Sequence, residues 1–290
     1  MPKKITQKKV GLALSGGGAR GLAHIGIIKA LLDAKIPISY VAGTSMGAIV
    51  GAWFASNGEV DTLEKFFLGF KPKDIAPMLK IIRKREGIIL KGQPVAKWVD
   101  EFFGDKKIEN CRIPFAAVAT RVKDGEEVIL TKGNLADAVK ASAAIPIIFN
   151  PVSVNNELLM DGGAVNPVPV DVVKKMGADF VIAADVSGHW VDISEVPLDM
   201  VHLGRLFSLI SSGLSAASYQ VAKKILKEAD IVISPPISSF DLLDFDKTNE
   251  LVRLGFYETR RALPEICKGC GCPEPERNSL EKFLDFLLFK

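Results

Sequence analysis

The sequence predicts an α/β chain: a mostly parallel central sheet covered by helices on both faces. Three observations point there. Short β-branched or apolar runs alternate with helical stretches through most of the chain, the pattern that builds parallel sheets. Glycines cluster where a predicted strand hands over to a predicted helix, at Gly16–Gly21 and Gly43–Gly47. Hydrophobic residues make up 48% and charged residues 24% of the 290, which excludes a disordered chain. At roughly 150 residues per domain that length makes one large domain or two, with ample core.

In chain order, Val10–Leu14 is an apolar run of strand length. Leu22–Ala34 carries Leu22, Ile25, Ile28 and Leu32 at helical spacing, which predicts a helix with one buried face. Ser39–Ala42 is a second strand and Met46–Ser56 a second helix. Phe115–Thr120, Glu127–Leu130, Phe180–Asp185 and Ile231–Ser234 read as strands. Leu135–Ser142, Val170–Met176 and Val201–Glu228 read as helical, the last broken near Ser211-Ser212-Gly213.

Some segments admit two readings. Ile36–Gly58 is uncharged over 23 residues, with Gly43, Gly47 and Gly51 at membrane-helix spacing, but Pro37, Ser39, Thr44, Ser45, Ser56 and Asn57 load it with polar groups and speak against a span. Phe66–Lys107 mixes Phe66, Phe67, Phe70, Trp98, Phe102 and Phe103 with Arg83, Lys84 and Arg85. It is either a helical insertion packed on the core or a surface for anionic lipid. Leu280, Phe283, Leu284, Leu287 and Leu288 form a C-terminal amphipathic stripe that could dock on the body.

The lysines before Val10 resemble the start of a signal peptide, but five apolar residues are too few for an export core. The expectation is a cytoplasmic chain without leader or membrane helix. A net charge of +3 gives no argument for nucleic acid. Four cysteines are too few for a disulfide scaffold.

The most informative motif is Gly43-Thr44-Ser45-Met46-Gly47, a G-x-S-x-G between a predicted strand and a predicted helix. A serine nucleophile needs its oxygen exposed on a sharp strand-to-helix turn, and small flanking residues permit that turn. Gly16-Gly17-Gly18-Ala19-Arg20-Gly21 also follows a strand and opens a helix. Its spacing fits a dinucleotide turn, yet the next strand ends in the serine rather than in an acidic residue. The alternative is an oxyanion hole, in which consecutive amides turn toward one developing negative oxygen. With a candidate nucleophile one βα unit away, that reading is preferred.

The base has fewer signals. His24 lies in the first helix, where a structural role fits. His189 could complete a Ser-Asp-His order, but nothing around it or His202 marks either out. Asp161-Gly162-Gly163 follows the short strand-like Glu157–Met160, so its carboxylate stands at a glycine turn. Partial desolvation there would raise its pKa and fit it to deprotonate a serine; an Asx turn is the plain alternative.

Taken together, Gly16–Gly21, Gly43–Gly47, Ala141–Pro151 and Asp161–Gly163, in this order, resemble the patatin-like phospholipases. The resemblance covers roughly residues 10–175. It implies a three-layer α/β/α sandwich and a Ser–Asp dyad without histidine. Carried over by position, Ser45 is the nucleophile and Asp161 the base. The amides of Gly16, Gly17 and Gly18 form the oxyanion hole, supported by Arg20, Gly21, Gly43, Gly47, Gly162 and Gly163. The substrate implied is a phospholipid or other fatty acyl ester, with peripheral membrane contact and no cofactor. Residues 10–175 would form the catalytic core, 176–262 the rest of the same domain, and 263–290 a cysteine segment ending in the amphipathic helix.

Two matters stay open on sequence. Cys267, Cys270 and Cys272 are spaced tightly enough to ligate zinc or an iron–sulfur centre but lack an evident fourth ligand, and free thiols or a local disulfide fit as well. The activity could be acyl transfer instead of hydrolysis. A nicotinamide oxidoreductase and an inactive lipid-binding protein are the rivals from other classes.

Overall fold

The computed structural model describes residues 7–70, 81–84, 87–90, 93–146, 149–187 and 218–274, with residues 81–84, 87–90 and 93–96 as backbone alone. Strand β1 (Val10–Leu14) leads through a tight turn, Gly18–Leu22, into helix α1 (Ala23–Asp33). Strand β2 (Ile38–Thr44) feeds α2 (Met46–Asn57), followed by α3 (Asp61–Leu68). A small antiparallel hairpin, β3 (Ile81–Lys84) and β4 (Gly87–Leu90), precedes α4 (Gln93–Phe103).

Next come β5 (Phe115–Arg121), β6 (Glu127–Leu130), α5 (Leu135–Ser142), β7 (Val152–Val154) and β8 (Glu157–Asp161). The remaining elements are α6 (Val170–Lys175), β9 (Phe180–Ala184), α7 (residues 218–225), β10 (Ile231–Ile233) and α8 (Thr248–Cys270).

The main sheet runs β10-β9-β1-β2-β5-β8-β7, with β6 also on β5. From β10 to β5 the strands are parallel; β6, β8 and β7 continue the sheet antiparallel. Side-chain alternation sorts the core into two layers. Leu12, Leu14, Ile182 and Val41 face one side with α1, α2 and α8, while Ala13, Ala42, Ala116 and Val181 face the other with Val170, Val172 and Val173 of α6 and Ala222 of α7. The architecture is the expected α/β/α sandwich.

Alpha-helix α1 is buried on more than one side, because α8 lies across its back. A β-carbon on Gly26 would stand 1.9 Å from the Val252 carbonyl oxygen, and one on Gly255 2.1 Å from that of Ala23, so the two backbones touch. Clamped this way, α1 buries Ala23 to Ile28, Ala30 and Leu31, and Leu32, expected on its buried face, is 38% exposed.

Other expectations are corrected or sharpened. Ile36–Gly58 breaks at Ser45 into a strand and a helix, and among the described residues no helix is long and apolar enough to cross a membrane. The aromatics flanking the basic stretch pack inward: Phe66 stacks on Trp98 at 4.9 Å, Phe67 on Phe245 at 6.2 Å, and Trp53 meets Phe102 at 4.9 Å. Phe67 and Phe103 lie in the core, as a packed insertion requires, while Phe66, Phe70, Trp98 and Phe102 pack against it and stay partly exposed. The side chains of Arg83, Lys84 and Arg85 lie outside the described residues, as do the break near Ser211 and the stripe from Leu280. Of Val201–Glu228, residues 218–225 and the turn Leu226–Glu228 are helical.

Candidate active site

The geometry of the site follows from one edge of β5. On its first half β5 pairs with β2, ending at Thr44 opposite Val118; on its second half it pairs with β8, ending at Asp161 opposite Ala119. Strand β6 pairs with residues 117–120 of β5 along the opposite edge. Strands β2 and β8 therefore meet end to end on the same edge, and the residues that finish them sit opposite adjacent positions of β5. That seam brings together Ser45 and Asp161, 116 positions apart in sequence. Gly162 is dictated by it: a β-carbon there would stand 2.4 Å from the Val118 carbonyl oxygen.

Ser45 adopts φ 56° and ψ −122°, a left-handed conformation that costs a non-glycine residue about 1–3 kcal/mol. It sits directly before α2, so the free N–H groups of the first helical turn surround it. Gly43 and Gly47 permit the turn. A β-carbon on Gly47 would lie 2.3 Å from the Leu14 carbonyl oxygen, and one on Gly43 equally close to that of Gly47. Gly21 lies against the side chain of Met46 in the same way.

Asp161 is 7% exposed. Burial raises its carboxyl from 3.8 to about 6, opposed by hydrogen bonding from the Ser45 hydroxyl and the Gly163 N–H. The Gly163 bond to Oδ1 is well formed at 2.8 Å. Oδ2 has no donor at full hydrogen-bond geometry, so the Ser45 hydroxyl is close enough to act on the carboxylate without closing a formal bond.

The glycine loop lies on the other side of Ser45, with Gly16 nearest: a β-carbon on it would be 3.3 Å from Cβ of Ser45. Its amides are not equivalent. Gly16 donates to the Pro167 carbonyl at 3.1 Å and Ala19 to that of Leu242 at 2.8 Å. Among the described residues no acceptor faces the amides of Gly17 and Gly18. The Gly16 amide is thus committed to the loop's own structure.

Arg20 is buried in the turn that continues this loop. Nε donates to the Phe240 carbonyl at 2.6 Å and Nη1 to that of Ser187 at 2.7 Å, tying two distant segments to the turn. Burial lowers its pKa, against Asp241 and Asp244, which raise it. His24 is fully buried with Nε2 2.8 Å from the Ser15 carbonyl, and burial lowers it to about 4, so it is a neutral brace beneath the loop. His189 and His202 lie outside the described residues.

A family model described as patatin-like phospholipase matches residues 12–174, more than half of the chain. The chain belongs to the patatin-like phospholipase family. Among curated proteins this patatin-like chain is 37% identical over 180 residues to an uncharacterized NTE family protein of Mycobacterium bovis, covering 62% of this chain and 49% of that protein. It is 27% identical over 308 residues to lysophospholipase NTE1 of Pyricularia oryzae, covering 98% of this chain and 20% of that one. The chain thus spans about half the length of the first relative and a fifth of the second. Among solved structures, VipD from Legionella pneumophila matches with TM-score 0.46 and 14% identity, over 89% of this chain and 67% of that one.

Three residues that hold this patatin-like site together had no role assigned from sequence. Ser142, fully buried, accepts from the Ser45 N–H at 3.1 Å and donates to the Val118 carbonyl at 2.6 Å. Thr120 Oγ1 donates to the Asp161 carbonyl at 2.8 Å. The Asn166 carbonyl accepts from Thr44 Oγ1 at 2.7 Å, while its Nδ2 donates to Glu127 and Asp171, each at 2.7 Å. The sequence signals were that Ser142 lies within the Ala141–Pro151 motif and that Asn166 follows Asp161-Gly162-Gly163 closely.

The cysteines belong to the body of the domain. Cys267 and Cys270 lie in the core on the inner face of α8, which runs unbroken across residue 263. All four cysteines are unbridged, and burial pushes the Cys270 thiol up. Among the described residues no group of three His, Cys, Asp or Glu is arranged to hold a metal.

Proposed function

We propose that this patatin-like chain is a serine lipid acyl hydrolase working through a Ser45–Asp161 dyad. The observation that carries the reading is a buried carboxylate with one oxygen lacking a full hydrogen bond beside a serine on a strained elbow. A base with pKa about 6 is mostly ionised at neutral pH yet far more basic than a solvated aspartate, which suits proton abstraction.

In this mechanism Asp161 takes the hydroxyl proton as Ser45 Oγ forms a bond to the ester carbonyl carbon. The carbonyl π pair moves onto oxygen, and the amides of Gly17 and Gly18 stabilise that oxyanion. Collapse breaks the bond to the alcohol, which leaves with the proton from Asp161. Water then attacks the acyl-enzyme, again giving its proton to Asp161, and Ser45 Oγ takes that proton back as it is expelled and the fatty acid is released. A lipid ester is supported by the family and by relatives named lysophospholipase.

The test is mass spectrometry of the products released from mixed-lipid vesicles, with Ser45→Ala as control and fluorophosphonate labelling of the wild type. Free fatty acid from wild type alone, with label on Ser45, supports hydrolysis. An acyl chain recovered on an added alcohol in preference to water would make the chain an acyltransferase. Turnover retained by folded Ser45→Ala would remove the nucleophile assignment.

A further inference from the structure

We infer that Ser142 is a positioning residue of the reaction: its hydroxyl, inserted at the seam between β2 and β8, fixes the Ser45 backbone and with it the spacing between nucleophile and base. The inference rests on the Ser45–Asp161 reading and extends it to a residue that touches neither substrate nor reacting atoms.

The seam creates the need. The β2 ladder ends at Thr44 opposite Val118, and the next place on that edge of β5 belongs to Asp161. The N–H of Ser45, turned out of the strand at φ 56°, is left off the ladder, while the Val118 carbonyl points into the gap, 2.4 Å from where a Gly162 β-carbon would stand. Both are buried polar groups that require partners. One hydroxyl serves both: Ser142 Oγ donates to Val118 at 2.6 Å, which commits its proton and leaves lone pairs for the Ser45 N–H at 3.1 Å. A shorter distance at the seam would not admit it.

The same segment also holds the base. Two residues beyond Ser142, at the end of α5, the Ala144 carbonyl accepts from the Asp161 N–H at 3.0 Å. A rigid stretch of three residues thus grips Ser45 by its N–H and Asp161 by its N–H. Helix α5 is in turn anchored by the Asn134 side chain, which accepts from the Asp137 N–H at 2.9 Å. A bridging water could satisfy the same two groups after loss of the hydroxyl, but it would not tie the elbow to α5.

The experiment compares Ser142→Ala with wild type on a short soluble ester such as p-nitrophenyl butyrate, and follows Ser45 labelling by a fluorophosphonate. KM should stay unchanged, while kcat and the labelling rate fall by about a hundredfold, as expected when reacting groups shift by about an ångström. A cooperatively folded Ser142→Ala with wild-type kcat and labelling rate overturns the proposal, and so does a loss confined to KM. Should Ser142→Ala fail to fold, the near-isosteric Ser142→Cys, a weak acceptor, takes its place with the same two readouts. Ser45→Ala is run in parallel. If it stays active, the underlying reading fails; if it is dead while folded Ser142→Ala is fully active, only the positioning role fails.

Discussion

Gly163 donates its N–H to Oδ1 of Asp161 at 2.8 Å, so the carboxylate is gripped on one oxygen by its own turn and Oδ2 is left without a full hydrogen bond. An aspartate in this setting has one oxygen to hold its orientation and one to receive a proton. Asp161→Asn keeps the first function and loses the second. It should lower kcat at least about a thousandfold, as for other disabled nucleophile–base pairs. Steady-state kinetics on a soluble ester checks this, and activity within tenfold of wild type would require a different base.

The same carboxylate sets a pH dependence. Hydrolysis needs the ionised form, so kcat/KM should rise with pH through about 6 and level off above it. A pH–rate profile whose acid limb falls near 4 instead would mean that Asp161 is better solvated than its burial indicates.

Stability should run the opposite way. The folded state holds the Asp161 proton up to about 6 whereas the unfolded chain releases it near 3.8, so this residue's contribution is full below about pH 3.8 and is lost as pH rises through about 6. Two units correspond to about 3 kcal/mol. Asp161→Asn carries no such penalty, and its stability relative to wild type should improve by that order between pH 4 and pH 8. Urea unfolding at both pH values measures the difference; a pH-independent gap would contradict the linkage.

Gly17→Ala should lower kcat about a hundredfold or more with less effect on KM, as expected for a group acting on the oxyanion. Crowding will contribute, because the new β-carbon would stand 2.8 Å from the Val186 carbonyl oxygen. Gly16→Ala separates the effects, since its amide is already committed to Pro167. Equal kcat losses in both variants would show that shape rather than hydrogen bonding is being measured.

For the basic stretch, the flanking aromatics pack against the core, so a lipid-facing role is tested through its charge. Combined Arg83→Gln, Lys84→Gln and Arg85→Gln should reduce hydrolysis of anionic vesicles, by up to about 1 kcal/mol of binding per charge, with an effect that fades as salt rises. A short soluble ester should be hydrolysed at the wild-type rate. Equal losses on both substrates would remove the membrane role.

What the sequence announced and what it concealed divide along a physical line. Strands such as Val10–Leu14 and Phe180–Ala184 were legible because both faces of a parallel strand are buried and short apolar runs have few other uses. Ser45 and Asp161 were legible because their turns need glycine. Helix α8 was not picked out: between Leu251 and Leu263 its buried face passes through Gly255 and Thr259, which dilute the apolar stripe, and Pro264 stands in the pattern. Ser142 and Asn166 act through a few hydrogen bonds, mostly to segments far away in sequence, and no periodicity records such a partnership.

The position of β1 has a consequence for how the chain can be made. The first strand is also one of the innermost, flanked by β2 on one edge and by β9 on the other, and α1 behind it is roofed by α8. Residues 12–174, the part the family model matches, would therefore leave the ribosome with the β9 edge of β1 unpaired and α1 uncovered. An exposed edge and a bare apolar helix invite association with other chains. Synthesis of residues 180–270 thus supplies the strand and the helix that cover the β1 edge and α1, and until then neither has that cover.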